Sequence, residues 1–388
     1  MSWSNRLLIF LVRIKYKGLY YFWKICSKLT SIDRVIIFDS FHGKQYSDNP
    51  RRISEVMHNL YPEFQQIWII SDIKRFKDIL PRYVKCVRPN SLQFYFWLSR
   101  CISYVYNAQL EFNIFKRHEE QFFVQTWHGD IGFKKVLYDT GKHNRKILDD
   151  AYTDVAVAGS SYGITQYRSA FRYNGEIVKV GTPRNDMLVR KDKDYIERIK
   201  LKLSLPLESK ILLYAPTFRD KVKGQQEVTV NLRECLDILQ NKNENWICLT
   251  RAHVNSAGLK INEDSDDIRD VTNYYDMADL LCITDLLISD YSSCAGDIIR
   301  AQKGAILALF DRQEYEENSR ELAYNPEEYG FIIANNQHEL NTILENMSEN
   351  DYIINAKKIC DIFDVTETGK SADYICKRIV DFYNQSRN

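Results

Sequence analysis

Short apolar runs alternate with segments of helix length along most of the chain after Asp33. Such runs predict buried strands, and the intervening segments 50–60 and 91–99 predict helices. Strands that alternate with helices indicate a parallel sheet covered on both faces. The predicted strands of this first domain are 35–39 (VIIFD), 66–71 (QIWIIS), 103–107 (SYVYN), 121–125 (QFFVQ), 154–158 (DVAVA) and 176–180 (EIVKV).

The same alternation restarts at Lys210, after a charged helical segment at 192–203. It predicts a second doubly wound domain, so that the carboxyl edges of two sheets face one cleft, where open α/β sheets bind ligands. The predicted division is a segment 1–32, domains 33–190 and 205–345, and a C-terminal helical segment 350–388 that packs back toward the first domain. The predicted strands of the second domain are 211–215, 246–250, 268–271, 286–290 and 305–309, the predicted helices are 232–241, 277–283 and 294–302, and helical periodicity returns over 351–382.

Composition narrows the class of protein. Of 388 residues, 45% are hydrophobic and 27% charged, which excludes a disordered, collagen-like or coiled-coil chain. The 53 basic and 52 acidic residues leave a net charge of +1, so nucleic acid is not an expected partner. Nine cysteines without a CxxC pair or zinc spacing favour a reducing compartment and predict no metal site.

The first 32 residues carry six cations and no Asp or Glu. Trp, Tyr, Phe and Leu residues lie between the cations, which is typical of a basic amphipathic helix in an anionic membrane interface. The longest apolar run, 7–12, is too short to span a bilayer. The alternative is a helix that packs its apolar side on the first domain.

The segment QTWHGD directly follows the predicted strand 121–125. It places His128 on a strand-to-helix turn beside Gly129, and an imidazole is well suited to take a proton from a hydroxyl near neutral pH. Because a single histidine is more often structural, this segment alone does not define a site.

Three more polar clusters follow predicted strands of the second domain. Thr217 and Arg219 come after a strand that Pro216 ends, and Arg251 and His253 follow the next strand. The guanidinium of Arg219 suits a phosphate, although a surface arginine would look the same. The third cluster is Asp290, Tyr291, Ser292 and Ser293. One of its serines is expected to cap the following helix, and the free N–H groups at the start of that helix are suited to bind a diphosphate.

Other signals are weaker. The acidic segment 264–267 is interpreted as a solvated turn, and no Walker A, dinucleotide or nucleophile-elbow motif is present. Five further histidines have no companion cluster, and His42 in the segment FHG is the best candidate for an exception among them.

Seven collinear segments resemble the CDP-glycerol glycerophosphotransferase family, the teichoic-acid primases and polymerases. The resemblance covers nearly the whole chain from about residue 35, with Asp130-Ile131 in place of the usual Thr-Pro after WHG. It implies a GT-B-like fold, CDP-glycerol or a related CDP-polyol as donor, and a polyprenyl-diphosphate-linked acceptor at the cytoplasmic face of the bacterial inner membrane. The segments are 47–51 (SDNPR), 125–129 (QTWHG), 181–186 (GTPRND), 213–220 (LYAPTFRD), 251–253 (RAH), 285–293 (DLLISDYSS) and 369–373 (GKSAD).

Together, the residues and the resemblance assign roles within this cleft. His128 is the expected base in the first domain and His253 the second catalytic residue, with no metal or other cofactor required. The expected donor-phosphate site consists of Thr217, Arg219, Arg251, Asp290, Tyr291, Ser292 and Ser293. The residues expected to bind the acceptor or support the site are Trp127, Gly129, Asp130, Arg184 and Asp186.

Several alternatives remain open from the sequence. A CDP-ribitol donor, or a nucleotide-sugar glycosyltransferase on the same fold, would use similar clusters. A non-catalytic sugar- or nucleotide-binding protein is a third class, disfavoured by the two histidines. The oligomeric state is also open, a homo-oligomer included.

Overall fold

The computed structural model describes residues 3–143, 147–217, 230–242, 244–251, 266–318 and 321–387. Helix α1 (Trp3–Leu29) leads into the first sheet, in which seven described strands lie in the order β3-β2-β1-β4-β5-β6-β7 with all pairings parallel. The strands are β1 (Asp33–Asp39), β2 (Gln65–Ile69), β3 (Val84–Val87), β4 (Cys101–Tyr106), β5 (Phe122–Gln125), β6 (Val155–Ala158) and β7 (Glu176–Lys179).

Successive residues of a strand point to opposite faces of a sheet, and a buried apolar cluster covers each face of this first sheet. Ile36 and Phe38 pack into one buried cluster, and Val35 and Ile37 pack into another that also contains Leu19 and Trp23 of α1. The helices of the first domain are α2 (Asp48–Leu60), α3 (Ile73–Phe76), α4 (Leu92–Leu98), α5 (Asp149–Tyr152), α6 (Ser161–Ser169) and α7 (Asp186–Arg190).

The second domain repeats this plan with six described parallel strands in the order β10-β9-β8-β11-β12-β13. The strands are β8 (Lys210–Ala215), β9 (Trp246–Thr250), β10 (Ile268–Asp270), β11 (Leu286–Ser289), β12 (Gly304–Ala308) and β13 (Ile332–Ala334). The helices from residue 193 to the end of the described chain are α8 (Lys193–Lys202), α9 (Leu232–Gln240), α10 (Met277–Ile283), α11 (Cys294–Arg300), α12 (Arg312–Asn318), α13 (Gln337–Asn346), α14 (Glu349–Ile362) and α15 (Ser371–Gln385).

The C-terminal segment crosses between the domains. Helix α14 packs on α11 of the second domain, whereas α15 packs on α2 of the first domain and places Ile375 and Ile379 in its core. The predicted periodicity over 351–382 is therefore carried by two helices. The chain breaks between them where Asp364 and Gly369 adopt left-handed backbone conformations, with φ of +48° and +64°.

Two edge strands are absent from the sequence prediction. β3 has the sequence VKCV and is only partly buried, so it lacks the continuous apolar run that predicts a central strand. β13 has three residues, two of them partly exposed. Both lie at the outer edge of their sheets, where one side of a strand has no neighbour to bury it.

No described helix is long and apolar enough to cross a membrane.

Candidate active site

The turn at residues 126–129, which we call the histidine turn, follows β5 at the carboxyl edge of the first sheet. Trp127 adopts a left-handed conformation with φ of +49°, which is uncommon outside glycine. The side chain of Gln125 holds this turn, because its Oε1 accepts the backbone N–H of Trp127 at 2.8 Å. From a neighbouring segment, Asn49 Nδ2 donates to the Trp127 carbonyl at 2.8 Å. The strained backbone is thus fixed from two sides.

His128 is oriented by a backbone carbonyl. Its Nδ1 lies 2.5 Å from the carbonyl oxygen of Asn107, which can only accept, so Nδ1 carries the proton. In the neutral ring, Nε2 then has a free lone pair, and none of the described residues hydrogen-bonds to it. Burial lowers the pKa of His128, and the positive charge of Arg184 lowers it further, although the Asn107 carbonyl and Asp48 act in the opposite direction. A neutral imidazole with an unoccupied Nε2 is the form that a general base requires.

Asp149 supports the histidine turn indirectly, through the side chain of Gln125. Its carboxylate accepts Gln125 Nε2 at 2.6 Å and the backbone N–H of Leu110 at 3.0 Å. Burial raises the pKa of Asp149 to about 6, although these hydrogen bonds partly oppose the shift. Sequence reasoning missed Asp149 and Asn107, since each is far from the histidine turn along the chain.

The facing turn of the second domain, residues 290–293, follows β11 and is called the serine turn here. The carboxylate of Asp290 accepts the backbone N–H of Thr217 at 2.9 and 3.0 Å, and so joins the turns that follow β11 and β8. Tyr291 is buried and stacks on Tyr315 with ring centroids 3.7 Å apart, which points to a packing role.

Ser293 is the N-cap residue of α11, as the sequence predicts, but its side chain does not cap the helix. Ser293 precedes the helix with helical φ and ψ of −64° and −13°, and its side chain makes no capping hydrogen bond. Ser292 Oγ comes only to 3.5 Å from the N–H of Cys294. A residue in helical conformation points its hydroxyl away from the first-turn N–H groups, which explains the difference. Both side chains are partly exposed.

The two turns lie against each other across the domain boundary. A methyl group built on Gly129 would lie 3.6 Å from Ser293 Cβ and 3.7 Å from Ser293 Oγ. The residue after His128 is therefore in contact distance of the serine turn. A second close approach lies nearby, where a methyl group on Gly296 of α11 would come within 2.9 Å of the Ile131 carbonyl.

Arg251 follows β9 at the same edge of the second sheet. Its Nη2 donates to the Tyr274 carbonyl at 3.2 Å, while Nη1 is buried without a hydrogen-bond partner among the described residues. A buried guanidinium nitrogen without a partner is costly, and an anionic ligand would satisfy it. Two other predicted site residues, Arg219 and His253, lie outside the described residues.

Asp130, Arg184 and Asp186, which the sequence assigns to acceptor binding or support of the site, make contacts that join parts of the molecule. Asp130 pairs with Arg300 of α11 and also accepts the N–H of Gly159 at 3.0 Å. Arg184 donates to Asp48 at 2.8 Å and to both oxygens of Asp297 at 2.9 and 2.8 Å.

Asp186 holds the C-terminal helix. Its two oxygens each accept one backbone N–H at 2.9 Å, from Ser371 and Ala372 at the start of α15. Of the two roles allowed for it by the sequence, binding the acceptor or supporting the site, these contacts favour support.

A further pair of ionic contacts between the domains was missed. Arg51 of α2 donates to Asp276 and Asp279 of the second domain, both at 2.9 Å. The only sequence signal was its position in the segment SDNPR. Among the described residues, no group of three or more His, Cys, Asp or Glu side chains could hold a metal ion.

Two doubly wound domains that meet at a histidine turn and a serine turn define a GT-B-like transferase. A model of the CDP-glycerol:poly(glycerophosphate) glycerophosphotransferase family matches residues 20–381, so the chain belongs to that family.

Individual relatives are similar over most of the chain. The teichoic acid glycerol-phosphate transferase of Staphylococcus aureus (strain NCTC 8325 / PS 47) is 30% identical over 93% of this chain and 96% of its own length. The teichoic acid poly(glycerol phosphate) polymerase of Staphylococcus epidermidis is 30% identical over 88% of this chain, which spans about half, 50%, of that protein. The structure of the wall teichoic acid polymerase TagF superposes with a TM-score of 0.82 at 27% identity, over 99% of this chain and 98% of that one.

Proposed function

We propose that this chain transfers glycerol phosphate from CDP-glycerol to a hydroxyl of a lipid-linked saccharide or polyol-phosphate acceptor and releases CMP. The product would be a polymer of the teichoic-acid or capsule type. The close approach of Gly129 to Ser293 carries the proposal, because it brings a base from one domain to the predicted phosphate site of the other. The relatives' glycerol-phosphate chemistry supports the choice of donor.

The proposed transfer step uses side chains from both the histidine turn and the serine turn. The acceptor oxygen attacks the phosphorus that bears glycerol, its proton goes to Nε2 of His128, and the bond from that phosphorus to the CMP oxygen breaks. Negative charge then develops on the CMP phosphate. Arg251, which follows β9, has a buried nitrogen without a hydrogen-bond partner that can meet this charge, and Ser292 and Ser293 offer hydroxyl donors.

His253 and Arg219 complete the proposed phosphate site, and both rest on the sequence alone. The proposed site contains no metal ion. Chelation should therefore leave turnover unchanged, and activity that only a divalent ion restores would contradict this part of the proposal.

We also propose that α1 places the enzyme on the cytoplasmic face of the bacterial inner membrane. Leu19 and Trp23 of α1 are buried against the first domain, where Trp23 contacts Phe115 at 5.4 Å. An exposed apolar stripe runs along the opposite side of the helix, within about 60° of one line at 100° per residue. Its members are Phe10, Ile14, Tyr21 and Ile25, and the exposed cations Arg13, Lys17, Lys24 and Lys28 flank it.

The two sequence interpretations of α1 concern different faces of one helix and are therefore compatible. One face packs on the first domain, and the other carries apolar and cationic side chains that a membrane interface would accommodate.

The decisive experiment incubates the purified chain with CDP-glycerol, CDP-ribitol and a UDP-sugar, each with a membrane fraction that contains lipid-linked acceptor. We expect CMP release and a mass increase of one glycerol phosphate. A product that contains ribitol phosphate would establish the alternative donor. Release of UDP would show that the chain is a glycosyltransferase. If no substrate were turned over, the non-catalytic binding protein would be the remaining alternative.

A further inference from the structure

A cavity of about 220 Å³ lies at the carboxyl edge of the first sheet, next to the histidine turn. Its walls combine polar and aromatic side chains, which include Asp39, His42, Phe94, Tyr104, Glu111 and Asn113. The transfer step proposed above uses none of them. The volume is below the range of about 300–1,000 Å³ that is usual for drug-sized ligands, so the cavity suits one small unit.

The turn that carries His42 connects this cavity to His128. Phe41, His42 and Gly43 have positive φ of 51°, 58° and 74°, a succession that is strained at the two non-glycine positions. The strain is held by Asp39, whose Oδ1 accepts the Gly43 N–H at 2.7 Å, and by Asn107, whose Oδ1 accepts the Phe41 N–H at 2.8 Å.

Phe41 then packs against the His128 ring at 4.9 Å, while the next residue, His42, lines the cavity. Asn107 thus holds both His128, through its carbonyl, and the cavity turn, through its side chain. The base and the cavity are neighbours on one rigid support.

One residue of the cavity wall, Asn113, has a buried acceptor without a partner. Asn113 is 2% exposed, and its Oδ1 makes no hydrogen bond, while its Nδ2 donates to Asn90. A buried carbonyl oxygen without a partner costs free energy until a donor reaches it. A ligand hydroxyl that reached this oxygen would supply the donor, whereas a phosphodiester has only acceptors.

The charges around the cavity favour the same class of ligand. Asp39 uses both carboxylate oxygens within the protein, one for Gly43 and the other for the Tyr104 hydroxyl at 2.7 Å. Glu111 lies 4.0 Å from Nδ1 of His42, with half of its side chain exposed. These two carboxylates outnumber Lys44, the one lysine or arginine of the cavity wall, and so oppose a phosphate. The half-exposed Glu111 can accept hydrogen bonds from sugar or polyol hydroxyls.

We propose that this cavity binds a neutral, hydroxyl-rich unit of the acceptor, a sugar or polyol next to the attacking hydroxyl. The identity of this unit as part of an acceptor rests on the proposed function. The binding of a neutral hydroxylated unit rests on the cavity alone.

The kinetic test compares His42→Gln and Glu111→Gln with Glu119→Gln. The last variant makes the same charge change as Glu111→Gln at an exposed position of the same segment outside the cavity. We expect the two cavity variants to raise the acceptor KM about tenfold, with kcat and the CDP-glycerol KM within about twofold of the wild type. The control variant should match the wild type. An unchanged acceptor KM in both cavity variants overturns the proposal while leaving the transfer reaction intact.

A binding test without any donor separates the cavity from the transfer reaction. Saturation-transfer NMR with methyl glucoside, glycerol and glycerol 3-phosphate should show contact with the two neutral probes, and the signal should fall in His42→Gln and not in Glu119→Gln. Binding of the neutral probes in a protein that turns over no CDP-alcohol would refute the proposed function only. Preferential binding of glycerol 3-phosphate, or binding of no probe, overturns the proposal for the cavity.

Discussion

The carbonyl of Asn107 determines which ring nitrogen of His128 carries the proton. A histidine in a loop can carry its proton on either nitrogen, but a carbonyl partner at 2.5 Å requires the proton on Nδ1. Trp127 and Phe41 pack on the ring, with centroids 4.0 and 4.9 Å away, and limit its rotation. The ring therefore presents a basic Nε2 in one fixed orientation, which a base needs to act within hydrogen-bond reach of its substrate.

Replacing His128 by Gln should lower kcat by at least about a hundredfold, because a well-placed general base contributes roughly 10²–10⁴-fold. The affinity for CDP-glycerol, measured by calorimetry, should stay within about twofold of the wild type, since the proposed donor contacts lie in the other domain. His118→Gln is the matched control, because His118 is exposed and contacts only the ring of Tyr152 among its described ring neighbours. Lost donor affinity with unchanged kcat would contradict the role as base.

The pH dependence of kcat/KM follows from the direction of the pKa shift. The base must be neutral, so activity falls as the pH decreases through the pKa of His128. Burial lowers this pKa in the free protein, and we expect the acid limb of the kcat/KM profile to have its midpoint below the ordinary histidine value of about 6.5. Initial rates at acceptor concentrations well below KM, between pH 5 and pH 8 and on the order of one point per half unit, would measure the midpoint. A midpoint above the ordinary value, or the same limb in His128→Gln, would contradict this assignment.

Sequence reasoning finds the residue types of the site better than their partners. His128, Ser293 and Arg251 follow strands, and in parallel sheets such positions meet at one edge. Asn107 and Asp149 were missed because asparagine and aspartate at strand or helix ends usually act locally in turns. The unsatisfied nitrogen of Arg251 could not be predicted at all, because it depends on which groups fail to reach it in three dimensions.

At the scale of elements, continuous apolar runs located the central strands within a residue or two. For example, β9 (Trp246–Thr250) has the predicted bounds and is buried throughout. Edge strands are not predicted by this pattern, because half-buried segments such as VKCV lack a continuous apolar run. The break before α15 is not predicted either, because the helical periodicity continues on both sides of the turn at Asp364 and Gly369.

Asp186 connects two elements that are far apart in the sequence, and its loss should affect stability rather than turnover. Asp186→Asn retains one acceptor oxygen for the two N–H groups at the start of α15, so one of them is left without a partner. We expect the free energy of unfolding to fall by about 1–3 kcal/mol, measured by urea unfolding. The kcat of the folded protein should be unchanged.

The control for this prediction is Asp373→Asn in the first turn of the same helix. Asp373 pairs with Arg190 at 3.2 Å on the surface, and such pairs contribute at most about 1 kcal/mol. If Asp186→Asn instead lowered kcat without changing stability, Asp186 would belong to the acceptor site.

At the scale of the whole molecule, buried arginines hold the two domains together. Helix α11 carries both Asp297, which pairs with Arg184, and Arg300, which pairs with Asp130 and with Glu367. The same helix begins at the serine turn. Ion pairs that fix the position of α11 therefore also fix the distance between the serine turn and the histidine turn. The sequence could not predict these pairs, because the paired charges are between 67 and 170 residues apart along the chain.

The exposed stripe of α1 determines how the whole molecule would lie on a membrane. On a membrane that holds the proposed lipid-linked acceptor, the first domain would face the bilayer, because α1 packs on that domain through Leu19 and Trp23. The loop that α1 touches through Phe112 and Phe115 also supplies Glu111 and Asn113 to the cavity. A membrane-bound α1 would therefore lie next to the proposed acceptor site.

Replacing Ile14 and Ile25 together by Ser should weaken binding to phosphatidylglycerol-containing vesicles at least about tenfold, because a fully buried Ile contributes about 1.5–3 kcal/mol. Folding should be unaffected, since both side chains are exposed. Ile354 and Ile362 of α14 are exposed to a similar extent, 57% and 46%, and their double replacement by Ser is the matched control. Sedimentation with vesicles measures both, and high salt should weaken binding by screening the cations. Equal losses in both double variants would show nonspecific adsorption instead of a membrane face on α1.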